Sequence, residues 1–248
     1  MPDLQNIFST ALVARRSQKF SLSDSYHLAL KVAKIVDSSD EAFMRLQDVS
    51  HDMLTLLENE GSDKNALDLE PCYHNRQHLS DAVLSMGYFM GQLPDLTAYE
   101  KQLLLLVMLV HDFGHRGIAN KLPELSHEDE SIALLKATPL KKLSPADLFF
   151  IEQCILGTNP QQVIKVSEEY ANNPMDSFSL MRALVNDADI AASFMEPLGM
   201  ELSKLILLEK GAVNPSEKEV LEAFSAFKQH AQITTPVARK LLGLDLKN

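Results

Sequence analysis

The chain has 248 residues, 46% of them hydrophobic and 23% charged, which suffices for a sizeable core in one helical domain. A formal charge of −11 without a long basic run disfavours a nucleic-acid polymer as partner. Two isolated cysteines, Cys72 and Cys154, exclude a disulfide framework and a cysteine-rich zinc site.

The longest apolar run, Leu103 to Val110, is far short of the ~20 residues of a membrane span. The first twenty residues lack a secretory leader's basic, apolar and small-residue sections, so the expectation is a cytoplasmic protein with no membrane partner.

In chain order the dominant period is helical. Leu28, Val32, Ile35 and Val36 fit one helix face, and Phe43, Leu46, Val49, Met53, Leu56 and Leu57 another. The polar stretch from Asn59 to Pro71 reads as a loop. A helix follows from about His78 to Met90, closed by Gly91 and Pro94. Tyr99 to Val110 is apolar nearly all round and is expected at the centre of the core. Further helices are predicted over Asp129–Ala137, Pro145–Leu156, Pro160–Tyr170, Ser177–Phe194, Leu198–Lys210, Ser216–Gln232 and Pro236–Gly243. Strand signals are sparse, so the predicted fold is an all-α multi-helix bundle. It is read as one domain over 1–248: N-terminal helices to residue 60, a core over 70–195 and C-terminal helices over 196–248.

Three stretches carry chemistry. Tyr73-His74-Asn75-Arg76-Gln77-His78 puts two histidines four apart, on one face if the segment is helical. That spacing suits a metal, a ligand beside a proton donor, or neither. His111-Asp112-Phe113-Gly114-His115 ends the apolar helix, where ionisable groups need compensation. A dication provides it, since imidazole and carboxylate are good ligands for zinc, iron or manganese. Asp187 and Asp189 stand about 200° apart on an otherwise apolar helix, so one of them points inward.

YHNRQHLSD (73–81), HDFGHRGIAN (111–120) and the later Ala188-Asp189, in that order, resemble the metal-dependent HD phosphohydrolase superfamily. The closer likeness is to the catalytic domain of class I 3',5'-cyclic-nucleotide phosphodiesterases. The resemblance implies an HD/phosphodiesterase-like helical bundle that hydrolyses a phosphodiester with metal-activated hydroxide, and a place in signal transduction. His78, His111, Asp112 and Asp189 would hold a first metal, zinc or else iron or manganese. Asp112 would bridge to a second, magnesium or manganese. His74 would protonate the leaving oxygen, and His115 would contact the phosphate or the hydroxide. Glu128 matches the family's site glutamate, with Glu130 as its alternative, and Tyr73 and Asn120 fall on substrate-binding positions. The implied substrate is a small anionic phosphate ester such as a cyclic nucleotide.

The chain departs from the family in four respects: it is shorter than the usual catalytic domain, its connection after Asn120 is short, and two motifs differ. Asn186-Asp187 replaces the His-Cys that precedes the Ala-Asp. The family's purine clamp, a Gln three residues ahead of a Phe, has no counterpart, because Phe224 and Phe227 follow Leu221 and Phe224 at that spacing. Gln229 and Gln232 are the available substitutes. Two other readings therefore stand beside the first: an HD hydrolase acting on a nucleotide monophosphate or another phosphate ester, and a non-catalytic signalling module. His27, His51-Asp52, His230, Arg76 and Gln77 read as solvated, and Asp187 as exposed.

Overall fold

The computed structural model describes residues 4–17, 21–36, 38–60, 70–120 and 124–244, with the side chains of Glu60 and Asn120 outside the description. Among the described residues the chain forms twelve α-helices and no strand, so the fold is all-α as predicted. They are α1 (Leu4–Ser17), α2 (Leu22–Val32), α3 (Glu41–Glu60), α4 (Arg76–Met90), α5 (Ala98–Val110) and α6 (His127–Leu135). Then come α7 (Pro145–Thr158), α8 (Val163–Asn172), α9 (Ser177–Ile190), α10 (Leu198–Glu209), α11 (Glu217–His230) and α12 (Pro236–Leu241). None of the helices searched is long and apolar enough to cross a membrane.

Local chemistry sets the helix starts. Ser21, Thr97 and Ser216 each close a capping box, with Asp24, Glu100 and Glu219 returning a carboxylate to the cap's N–H. Asn75 caps α4, its side chain accepting from Gln77 N–H at 2.8 Å and His78 N–H at 3.2 Å. His74 therefore precedes the helix instead of sharing a helical face with His78. α2 ends at Val32, short of the predicted Val36: Lys34 turns left-handed at φ +55°, Ile35 N–H closes onto Leu30 C=O, and Val36 is 73% exposed. α9 passes into a 3-10 turn at Ala191–Phe194 instead of continuing as one helix.

α5 is the central element, with Lys101 through Val110 all buried. Each large apolar side chain removed from water there contributes roughly 1.5–3 kcal/mol. One hydrophobic cluster extends from Phe8 to Leu241 around it. α4 lies against α2, α5 and α9 and is buried from His78 to Gly87. At Gly87 the backbones of α2 and α4 come so close that an added Cβ would stand 2.7 Å from Ala29 Cα. α1 is fastened to α4 by charge: Asp81 Oδ1 accepts from Arg15 Nε at 2.9 Å, and Asp81 Oδ2 from Arg16 Nε at 3.0 Å. Arg15 also donates to the carbonyl of Gln77, the residue before His78.

Candidate metal centre

Three elements bring the donors of His78, His111 and Asp189 together, with Asp112 beside the two histidines. α4 supplies His78 from its first turn, the end of α5 supplies His111 and Asp112, and the last turn of α9 supplies Asp189. His78 Nε2 lies 2.9 Å from Asp189 Oδ1 and 3.2 Å from Asp112 Oδ2. His111 Nε2 lies 3.4 Å and 3.3 Å from the same two oxygens, and 3.3 Å from His78 Nε2. Nitrogen and oxygen ligands at about 2.0–2.2 Å from a tetrahedral ion stand about 3.3–3.6 Å apart, so His78, His111 and Asp189 form a group that could hold one small dication, with Asp112 Oδ2 against both histidines.

The polar bookkeeping agrees with that fit. His111 Nδ1 donates to Met108 C=O at 3.0 Å, which turns Nε2 toward the cluster. Two carboxylates among two buried imidazoles need two positive charges. Protons on the rings are one source, yet Asp112 Oδ2 is buried without a hydrogen-bond partner, and a dication would satisfy it. Burial opposes ionisation of Asp112 and Asp189, but the facing imidazoles outweigh it and hold both carboxyls below their usual range. Burial likewise lowers the two histidines. Tyr73 and the carboxylates for His78, and the carboxylates for His111, reverse this and raise them.

Asp187 is the fully buried member of the aspartate pair, not an exposed one. Its carboxylate accepts from Thr234 N–H and Thr235 N–H at 2.7 Å each and from Thr235 Oγ1 at 2.6 Å, pinning the start of α12 to α9. Burial pushes it up to about 6 against those donors. Asp189, two residues on, keeps its side chain 19% exposed and faces the histidines.

A second cluster adjoins the first: His74, His115 and Glu209. Glu209 Oε1 accepts from His74 Nδ1 at 2.5 Å and Ile118 N–H at 3.0 Å. Its Oε2 accepts from Tyr73 N–H at 2.8 Å and His74 N–H at 3.0 Å. These four donors fill the carboxylate's acceptor directions, so Glu209 orients His74 and is not a free metal ligand. Burial would raise Glu209, but the hydrogen bond from His74 outweighs it and holds the carboxyl at about 2. Gly117, at φ +87°, brings Ile118 N–H onto Glu209, and an added Cβ would stand 3.2 Å from Glu209 Cγ.

Glu209 escaped the sequence reading because it closes the apolar helix Leu198–Glu209, 135 residues from His74. The usable signal was a carboxylate at a helix C-terminus, where the dipole disfavours it and a partner is needed.

His115 stacks on His74, with ring centroids 3.9 Å apart. Burial, then the neighbouring His74, lowers His115 to about 3, so this ring is neutral near pH 7. Tyr73 is buried behind the histidines, 4.7 Å from both the His74 and His78 rings, with its hydroxyl on Ser193. Asn120 ends a 3-10 turn, and its side chain lies outside the description. Glu128 accepts from Asn159 at 2.9 Å and belongs to neither donor cluster, while Glu130 pairs with Arg116 at 2.6 Å.

His74, Asp112 and His115 open onto a cleft of about 400 Å³ walled in part by Leu57, Leu79 and Phe113. Arg76 also lines it, held by Glu70 at 2.6 Å, and is not simply solvated. Gln77, His51 and His27 are exposed, as expected, and so is His230. No known family pattern matches this chain, and no curated protein matches it significantly.

Proposed function

We propose that this chain is a metal-dependent phosphohydrolase that cleaves a phosphodiester, most like a 3',5'-cyclic-nucleotide phosphodiesterase. The observation that carries the reading is the grouping of His78, His111 and Asp189 at donor separations of 2.9–3.4 Å, with Asp112 Oδ2 3.2–3.3 Å from the two histidines and on the side of an open cleft. These four would hold the first metal, and Asp112, on the cleft side, would share a second. Bound dications would supply an acidified water and charge for the phosphoryl oxygens.

The chain's own groups do the rest. Glu209 fixes the proton on His74 Nδ1 and leaves Nε2 as the edge available to a leaving oxygen, the arrangement of an oriented acid–base histidine. His115, neutral and stacked on His74, offers a hydrogen-bonding edge at the cleft without adding charge. Phe113, Leu57 and Leu79 form an apolar wall for the organic part of the ester.

The second reading, hydrolysis of a nucleotide monophosphate or another ester, is favoured by one observation. Gln229 and Gln232 are both exposed, and Gln232 bonds Ser167 on α8 instead of facing the cleft. The deciding experiment is metal analysis of the purified protein with turnover measured on cyclic nucleotides, nucleotide monophosphates and simple diesters in Mg²⁺, Mn²⁺ and Zn²⁺. Bound metal with diester hydrolysis is expected. Metal-free protein inert on every ester would overturn the proposal, and monoester-only turnover would select the second reading.

A further inference from the structure

His127 belongs to neither donor cluster, yet its ring stacks on His115 at 4.0 Å between centroids and 28° between planes. His115 in turn stacks on His74 at 3.9 Å and 20°. Three imidazoles thus form one column, with His74 at the inner end and His127 at the outer.

α6 meets the turn after α5 through residues spaced i, i+3 and i+7, which share one helical face. His127 covers His115, Glu130 pairs with Arg116 at 2.6 Å, and the Leu134 δ1-methyl occupies the place a Gly114 Cβ would take. Gly114, at φ +73°, supplies the left-handed turn that this approach uses.

We infer that His127 is a positioning residue: the outer ring of an imidazole column through which α6 sets the plane of His115 and, through it, that of His74. The inference rests on the reading of His74 as the proton donor. The geometry leaves this task to stacking. Glu209 fixes the in-plane direction of the His74 ring through Nδ1 but not its tilt. Tyr73 meets His74 edge-on at 82°, while His115 covers a face. The Gly117 N–H holds His115 Nδ1 at 3.0 Å and again fixes direction, not tilt. A flat ring on the outer side of His115 closes that freedom. Donor geometry matters at this scale, because a shift of about 1 Å can cost ~10²-fold in rate.

A stack needs a flat ring and not a titrating one, so phenylalanine should serve where alanine does not. The test compares metal-loaded wild type, His127→Phe and His127→Ala in ¹⁵N-histidine-labelled protein. It reads metal content, the hydrogen-bonded His74 Nδ1 proton resonance, and turnover on an alkyl and a nitrophenyl phosphodiester. Expected for His127→Ala are unchanged metal, a broadened or displaced His74 resonance, and an alkyl-ester kcat ~10–100-fold down at similar KM with a smaller loss on the nitrophenyl ester. His127→Phe should restore both resonance and kcat. If His127→Ala does not fold, His127→Leu, apolar but not flat, takes its place with the same expectation.

A His74 resonance unmoved in the non-aromatic variant overturns the inference, as does a His127→Phe as impaired as that variant. A resonance that moves and is restored in a protein inert on every phosphate ester supports the column and overturns the phosphohydrolase reading instead.

Discussion

His74 and Glu209, 135 residues apart, share a 2.5 Å hydrogen bond from Nδ1 to Oε1. Glu209 also accepts the backbone N–H of His74, so one carboxylate fixes both the main chain and the ring of the candidate acid. Glu209→Gln keeps the volume but can turn an NH₂ toward a ring nitrogen that also donates. It should lower kcat ~10–10²-fold, the scale of a misplaced acid–base group, and leave metal content unchanged. Steady-state kinetics with metal analysis checks this, and a variant as active as wild type would remove Glu209 from the machinery.

His74 and His78 should separate by readout. His74→Ala should keep its metal while turnover on alkyl esters falls ~10²–10⁴-fold, and the loss should shrink on a nitrophenyl ester that needs no proton to leave. His78→Ala removes one donor of the His78, His111 and Asp189 group and should lose metal and activity on both substrates. Equal metal loss in the two variants, or an equal defect on both esters, would reassign His74.

Stability should fall on acidification, and the sign follows from two groups. Glu209 ionises at about 2 in the folded chain and near 4.5 when unfolded, so its contribution is complete above pH 4.5 and disappears as pH falls toward 2. His115 protonates at about 3 folded and 6.5 unfolded, so it too favours unfolding as pH drops below 6.5. Asp187, raised to about 6, works in the opposite direction between 3.8 and 6. Urea midpoints at pH 7, 5 and 3.5 should show a shallower acid loss for Glu209→Gln than for wild type, by on the order of 2–3 kcal/mol over the full titration. Parallel pH profiles would contradict the buried, ionised state of Glu209.

Asp81 is 1% exposed and takes both Arg15 and Arg16. Asp81→Asn leaves Arg15, itself 1% exposed, without its counter-charge, and should cost about 3–5 kcal/mol in urea unfolding. Arg16→Gln, at the more exposed edge of the pair, should cost clearly less. A loss under about 1 kcal/mol for Asp81→Asn would mean that the α1 contact relaxes and lets water in.

The periodicity of apolar side chains determined by itself that this chain is helical, and that Leu103–Val110 lies in the core, because a stripe or a fully apolar helix has no other way out of water. Of the three capping boxes at Ser21, Thr97 and Ser216, only the start at Ser216 was placed from the sequence. His78, His111, Asp112 and Asp189 were named as a set only by the resemblance to the HD phosphohydrolases, and of these the structure groups His78, His111 and Asp189.

What local sequence did not carry was anything set by contacts across the chain. Asn75 is a residue that caps helices, yet α4 could be placed after His74 only when its hydrogen bonds to Gln77 and His78 were visible. The burial of Asp187 depends on Thr234 and Thr235, more than forty residues downstream. Glu209 and His127 have no motif around them. One becomes significant because four donors from two distant segments meet its carboxylate, the other because folding lays its ring on His115. Helical periodicity is written in neighbours a few residues apart, whereas the partners of a buried carboxylate or a stacked ring are chosen by packing, and packing exists only once the helices have met.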